Sequence, residues 1–227
     1  MLLAPEDITA IWLSIKVALT ATALSLPFGF AVSWLLVFKP FRGKVLLEVL
    51  VNIPLTLPPV VIGFFLLLLL GKHGWIGKLL AESGIVLIFT WKAAVIASAT
   101  VGFPLLVRSI RLGMESIDRQ LIDASRSLGA QWYDTLLTII LPLSFRGILA
   151  GSSLMFARSL GEFGATIIVA GNIPGITQTI PLAIYDYASS PSSTAMALSL
   201  CLVSVVISVT VLFLHELLNR KLDRSRA

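Results

Sequence analysis

Charge is scarce in this 227-residue chain: Asp, Glu, Lys and Arg together make up 13%, against about 25% in an ordinary soluble domain. Too few polar side chains remain to cover a water-facing surface, which excludes a soluble fold. Cysteine is nearly absent. Cys201 stands alone inside an apolar run, so no disulfide framework can form within the chain. The two histidines, His73 and His215, fall far apart in any plausible topology, and no metal site is expected from them. A phosphate-binding loop is also missing. That loop needs Gly, four residues, then Gly-Lys-Ser/Thr, whereas the Gly-Lys pairs at Gly43, Gly71 and Gly77 run on into Val45, His73 and Leu79. ATP hydrolysis by that route is excluded. No basic segment opens the chain as it would open a secretory signal. Glu6 and Asp7 precede a first apolar stretch too long for a signal, so it reads as a retained span. No cluster of titratable or metal-binding side chains gathers near one interface, as a membrane enzyme would need. Only Glu162 could serve as the buried carboxylate of an ion-coupled transporter.

Hydrophobic residues make up 57% of the chain, and its mean hydropathy is +0.96. A membrane span takes about 20 mostly apolar residues, because roughly 30 Å of hydrocarbon is crossed at about 1.5 Å per residue. Five stretches meet that length: Ile8 to Phe38, Leu46 to Leu70, Trp91 to Val107, Thr135 to Ala157 (continuing toward Ala170), and Ala195 to Leu214. The predicted fold class is an all-α integral membrane protein of about five transmembrane helices. Between spans, 71–82 and 171–194 read as loops from their Gly, Pro, Ser and Thr content. No long linker or repeat divides the chain, so residues 1–227 are expected to form one domain.

The net charge of +5 reflects topology rather than nucleic-acid binding, because the basic residues sit beside the spans. Lys39, Arg42 and Lys44, then Arg108, Arg111, Arg119, Arg126 and Arg146, then Arg220, Lys221, Arg224 and Arg226 share one side; Lys72, Lys78 and Lys92 lie opposite. The positive-inside rule then puts the N-terminus outside and the C-terminus in the cytoplasm. Lys16, on the first span, reads as a side chain reaching toward the interface.

Pro54, Pro58 and Pro59 interrupt the second stretch. Proline removes a backbone donor and kinks a helix, and at membrane depth freed carbonyls need partners or a water-filled cavity. Either a pathway-lining kink or a packing kink would satisfy this. Between the third and fourth spans, Ile117, Leu121, Ala124 and Leu128 recur at helical spacing, with Asp118, Arg119, Asp123, Arg126 and Ser127 largely elsewhere on the wheel. This pattern predicts an amphipathic helix on the cytoplasmic side, stopped by Gly129. Periodicity alone leaves open whether it rests on headgroups or meets a protein.

From Asp123 the chain reads Asp-Ala-Ser (Asp123, Ala124, Ser125), three residues, Gly129, nine residues, Ile139, one residue, Leu141 and Pro142. This resembles the Glu-Ala-Ala signature of permease subunits of ABC importers, with every gap length kept. It departs by Asp123 for Glu and Ser125 for Ala. The resemblance implies a type I ABC importer permease fold, with 117–133 as a coupling helix that docks in a cytoplasmic ATP-hydrolysing subunit. Asp123 and Arg126 are then expected to make charged contacts at its rim. It also implies a homodimer, two such ATPase subunits carrying ATP and Mg, and an extracytoplasmic binding protein, with no cofactor on this chain.

A second segment, Arg158-Ser159-Leu160-Gly161-Glu162-Phe163-Gly164-Ala165-Thr166, is similar to one shared by oxyanion permeases, most of all their molybdate branch. Leu57 to Gly63, Gly74 to Gly77, Asn172 to Gly175, Thr179 to Pro181 and Tyr185 extend the likeness. Sulfate and tungstate permeases are close relatives. Pro58, Pro59, Arg158, Glu162 and Gly164 are the pathway candidates. Arg158 could attract a dianion, or pair with Glu162 one turn away; the pairing is the simpler reading, since Glu162 would repel an oxyanion.

Overall fold

The computed structural model describes residues 4–190 and 193–224. Arg226, one of the tail cations counted above, lies outside them. Among the described residues every regular element is helical.

Helix α1 (Pro5–Phe38) is 34 residues long, about 51 Å at the usual rise. Pro5 starts it where a missing N–H costs nothing, and the Asp7 carboxylate accepts from the Ala4 N–H at 2.6 Å. The second apolar stretch divides into α2 (Lys44–Thr56) and α3 (Pro59–Leu70), bent by 114° at the break. Proline drives its predecessor into extended backbone, and Leu57 (ψ 144°) and Pro58 (ψ 135°) both comply. The helix therefore stops at Thr56 and restarts at Pro59. Counting that bent pair as one span gives five; α1, α5 (Trp91–Glu115), the run Trp132–Leu160 and the last helix each have the length and apolarity to cross alone.

Helix α5 sits at the centre, parallel to α1 and antiparallel to α8 (Leu141–Leu160). Gly113 meets Gly147 so closely that a Cβ on either would lie 2.9 Å from the other's Cα. Small residues let two backbones approach this far where no water-driven collapse assists. The Ser33 hydroxyl ties α1 to α5 by donating to the Val107 carbonyl at 3.0 Å.

Two expected loops contain helices: α4 (Trp75–Glu82) lies in the first and α10 (Ile180–Ala188) in the second. Gly74 caps α4, and Pro181 opens α10 at a position that suits proline. Composition-based reading passes over such short mixed helices because their stability comes from what they pack on. Ile180 and Ala183 of α10 pack with Ala10 of α1 and Leu200 of α11 (Thr194–Arg224). The Tyr187 hydroxyl donates to Asp7 at 2.9 Å, and Ser14 accepts from the Ile180 N–H at 2.8 Å.

The fourth span also departs from a plain helix. Between α7 (Trp132–Thr135) and α8 runs a wide π-helical turn, Leu136–Ile140. Pro142 follows at once; it offers no N–H and crowds the carbonyl four residues back, and a widened turn absorbs that mismatch. At its far end α8 stops at Leu160, and α9 (Gly164–Ala170) begins after a three-residue break.

The candidate functional sites: an exposed helix end and a charged break

Helix α6 (Arg119–Ser127) hangs below the bundle, at the same end as Phe38 and Glu115. Asp118 caps it, accepting from the Gln120 N–H at 2.9 Å. Its C-terminus is closed by two reverse bonds, Gly129 N–H to Arg126 carbonyl at 2.9 Å and Ala130 N–H to Ser125 carbonyl at 3.1 Å. That closure needs a left-handed residue, and Gly129 supplies it with φ +86°.

The stripe read from the sequence divides. Ile117 precedes the Asp118 cap, where the backbone is not helical, so its phase is not that of α6. It turns into the bundle with Ile122, the two being 7% and 6% exposed. Leu121, Ala124 and Leu128 do share a face, and it points away from the bundle, with Leu121 48% and Leu128 88% exposed. Asp123 and Arg126 are exposed beside them. The bundle grips α6 through Ile122, a residue off the expected stripe; its Ile type at a position buried by tertiary packing was the only sequence trace.

Ser125 explains one departure from the family signature. Its hydroxyl lies 2.8 Å from Thr135 Oγ1, and Thr135 is buried. The bond joins α6 to α7, an attachment an alanine could not make. Ile139 lies within the wide turn and packs on the core, while Leu141 and Pro142 open α8 at the surface. A cavity of about 390 Å³ between the end of α1 and α6 is bordered by Lys39, Lys44, Arg119 and Arg126, with Asp123 the one acid among its lining residues. This end of the molecule is electropositive. Trp34 packs on Trp132 here, and Lys39 lies over the Trp34 ring.

The second constellation is the break between α8 and α9. Glu162, 2% exposed, places one carboxylate oxygen 2.8 Å from Arg158 Nη1, a close ion pair not aligned as a hydrogen bond. Its other oxygen accepts from the Ala165 N–H at 2.8 Å. Helix α9 packs on α3 through glycines: a Cβ on Gly63 would lie 2.8 Å from the Ala165 carbonyl, and one on Gly164 would lie 3.0 Å from Pro59 Cβ. Pro59, Gly164, Glu162 and Arg158 thus form one contiguous region, and Pro58 caps α3 at its edge. Gly63 belongs with them, and its place in an otherwise bulky apolar run was the available hint. Pairing, the simpler expectation for Arg158, is what the geometry holds. The Lys16 ammonium sits 3.8 Å above the ring of Trp91, the first residue of α5, a cation–π contact. Among the described residues no group of three or more His, Cys, Asp or Glu could hold a metal ion.

Solved structures with this architecture include a bacterial alginate ABC transporter in complex with its pentasaccharide-bound periplasmic protein. It has a TM-score of 0.78 at 14% identity, covering 96% of this chain and 80% of that one. The inward-facing MetNI methionine ABC transporter gives 0.74 at 16% identity, covering 94% of each. At such identities these show the fold, that of type I ABC importer permeases. Sequence relatives are far closer. The molybdenum transport system permease protein ModB of Haemophilus influenzae is 48% identical over 219 residues, 96% of each chain. Its namesake in Escherichia coli K12 is 46% identical over 228 residues, covering 100% of this chain and 99% of that one. The sulfate permease CysW of Synechococcus elongatus is 34% identical over 95% of this chain and 75% of its own length. Residues 25–224 match the family described as binding-protein-dependent transport system inner membrane component, and this multi-pass membrane chain belongs to it.

Proposed function

We propose that this chain is the permease subunit of an ATP-driven importer for molybdate, two copies of which enclose the pathway. The observation that carries the solute is near-full-length identity of 46–48% to two molybdenum permeases, against 34% to a sulfate permease. The exposed Leu121–Ala124–Leu128 face supports the coupling role. An apolar strip flanked by Asp123 and Arg126, held against the bundle through Ile122, is what a helix seated in another protein's groove requires. The groove belongs to a cytoplasmic ATPase subunit, one under each copy, which binds ATP and Mg. An extracytoplasmic binding protein delivers the anion to the opposite end. The electropositive end is then cytoplasmic, as the basic residues favour, with the N-terminus outside and residues 1–227 acting as one permease domain.

Motion follows from the same parts. ATPase closure pulls on α6, the wide turn at Leu136–Ile140 transmits the pull to α8, and α8 shifts the Arg158–Glu162 break against α3. Proteoliposomes holding this subunit with its ATPase and binding protein, offered labelled molybdate, tungstate and sulfate, test the solute. Molybdate uptake that excess sulfate does not suppress is expected; uptake of sulfate alone overturns the assignment.

A further inference from the structure

Arg158 keeps hydrogen-bonding capacity that Glu162 does not use. Its neighbour Ser159 lies against Gly102, eleven residues into α5, roughly 16 Å along that helix. An arginine stem does not reach from there to a headgroup. Yet the Arg158 side chain is 32% exposed, while that of Glu162 is 1% exposed. A charge at this depth faces water or protein rather than acyl chains, so the open side of Arg158 faces the pathway that the two proposed copies enclose. Only Nη1 meets Glu162, and no hydrogen bond of the guanidinium is found among the described residues. A guanidinium presents five donors in a planar fork that suits two oxygens of a tetrahedral anion. Glu162 is tied in place by the Ala165 N–H on its second oxygen, and the adjoining Gly164 is pressed against Pro59.

We infer that Arg158 is the in-membrane contact for the transported tetrahedral dianion, offering the N–H edge that Glu162 leaves free, and that Glu162 is its positioning residue. This rests on the oxyanion reading above. The buried carboxylate cancels the charge of the arginine, so the anion is oriented by donors and a local dipole and not trapped by a full positive charge. Passage requires binding weak enough to leave. The objection that Glu162 would repel the anion loses its force, since Glu162 stands behind the guanidinium.

The test uses proteoliposomes of the full transporter with its ATPase and binding protein, comparing Arg158→Lys, Glu162→Gln and the exchanged pair Arg158→Glu with Glu162→Arg. Arg158→Lys keeps a cation for Glu162 and loses the fork. Molybdate uptake is expected to fall at least tenfold, and the molybdate-to-sulfate uptake ratio to change at least threefold, with the melting temperature near wild type. Glu162→Gln should raise the molybdate retained by the purified transporter without binding protein. The exchanged pair should lower uptake at least as far as Arg158→Lys, because the fork is gone from position 158. Wild-type rates in Arg158→Lys, or in the exchanged pair, would make the pair purely structural and overturn the inference, as would failure of every variant to assemble. A wild-type complex that moves no oxyanion is a different result, and it refutes the solute reading instead.

Discussion

Gly129 shapes a helix end through its backbone alone. Its left-handed backbone closes α6, and a side chain there costs about 1–2 kcal/mol. Gly129→Ala should therefore loosen the end of α6 that carries Leu128. The expected outcome is uptake reduced severalfold with the amount of membrane-inserted protein unchanged; full uptake would mean the closure is dispensable. Ser125→Ala removes the bond to Thr135, worth about 1 kcal/mol. A lowered melting temperature with transport retained is expected, since the family signature has alanine there. At the other end, the Tyr187 phenol is pushed up to about 12 from its ordinary 10.0 by burial, by its bond to Asp7 and by nearby acids. The folded state thus holds the neutral phenol more tightly. Its contribution is whole below pH 10 and is lost as pH rises through about 12. Comparing phenolate absorbance of wild type and Tyr187→Phe should reveal one late-titrating tyrosine, and a midpoint near 10 would contradict the Asp7 contact.

At the scale of elements, α6 separates what sequence pattern can tell from what it cannot. Its existence, its stop at Gly129 and its apolar strip were legible, because local spacing and turn chemistry set them. Which face the bundle would hold was not, because the break in helical phase at Ser116–Asp118 comes from tertiary packing of Ile117 and Ile122. The same limit applies elsewhere. Pro58 and Pro59 announced a kink, but a bend of 114° depends on α3 settling against α9 through Gly63 and Gly164. The wide turn before Pro142 answers a steric demand no hydropathy pattern records. Leu121 and Leu128 give the sharpest test at this scale. Both are exposed, so Leu121→Asp and Leu128→Asp should leave the melting temperature within about 1–2 °C, consistent with near-neutral surface substitutions, while the ATPase subunit no longer co-purifies. Retained co-purification with full uptake would show that this face docks nothing.

For the whole molecule, the four spans, five with the bent pair, were readable because long apolar runs have no alternative in a bilayer. The packing of α1, α5 and α8 was not, because the glycines that permit it are scattered among many that do other work. Gly113→Leu should abolish accumulation of folded protein, as Gly147 leaves no room for it. Under the proposed function, the energy for transport through this bundle comes from a separate ATPase subunit. Molybdate uptake should therefore be measured in proteoliposomes with and without the ATPase subunit and with ATP or a non-hydrolysable analogue. Uptake only when both the ATPase and hydrolysable ATP are present is predicted. Equal uptake by this chain alone, without nucleotide, would contradict it.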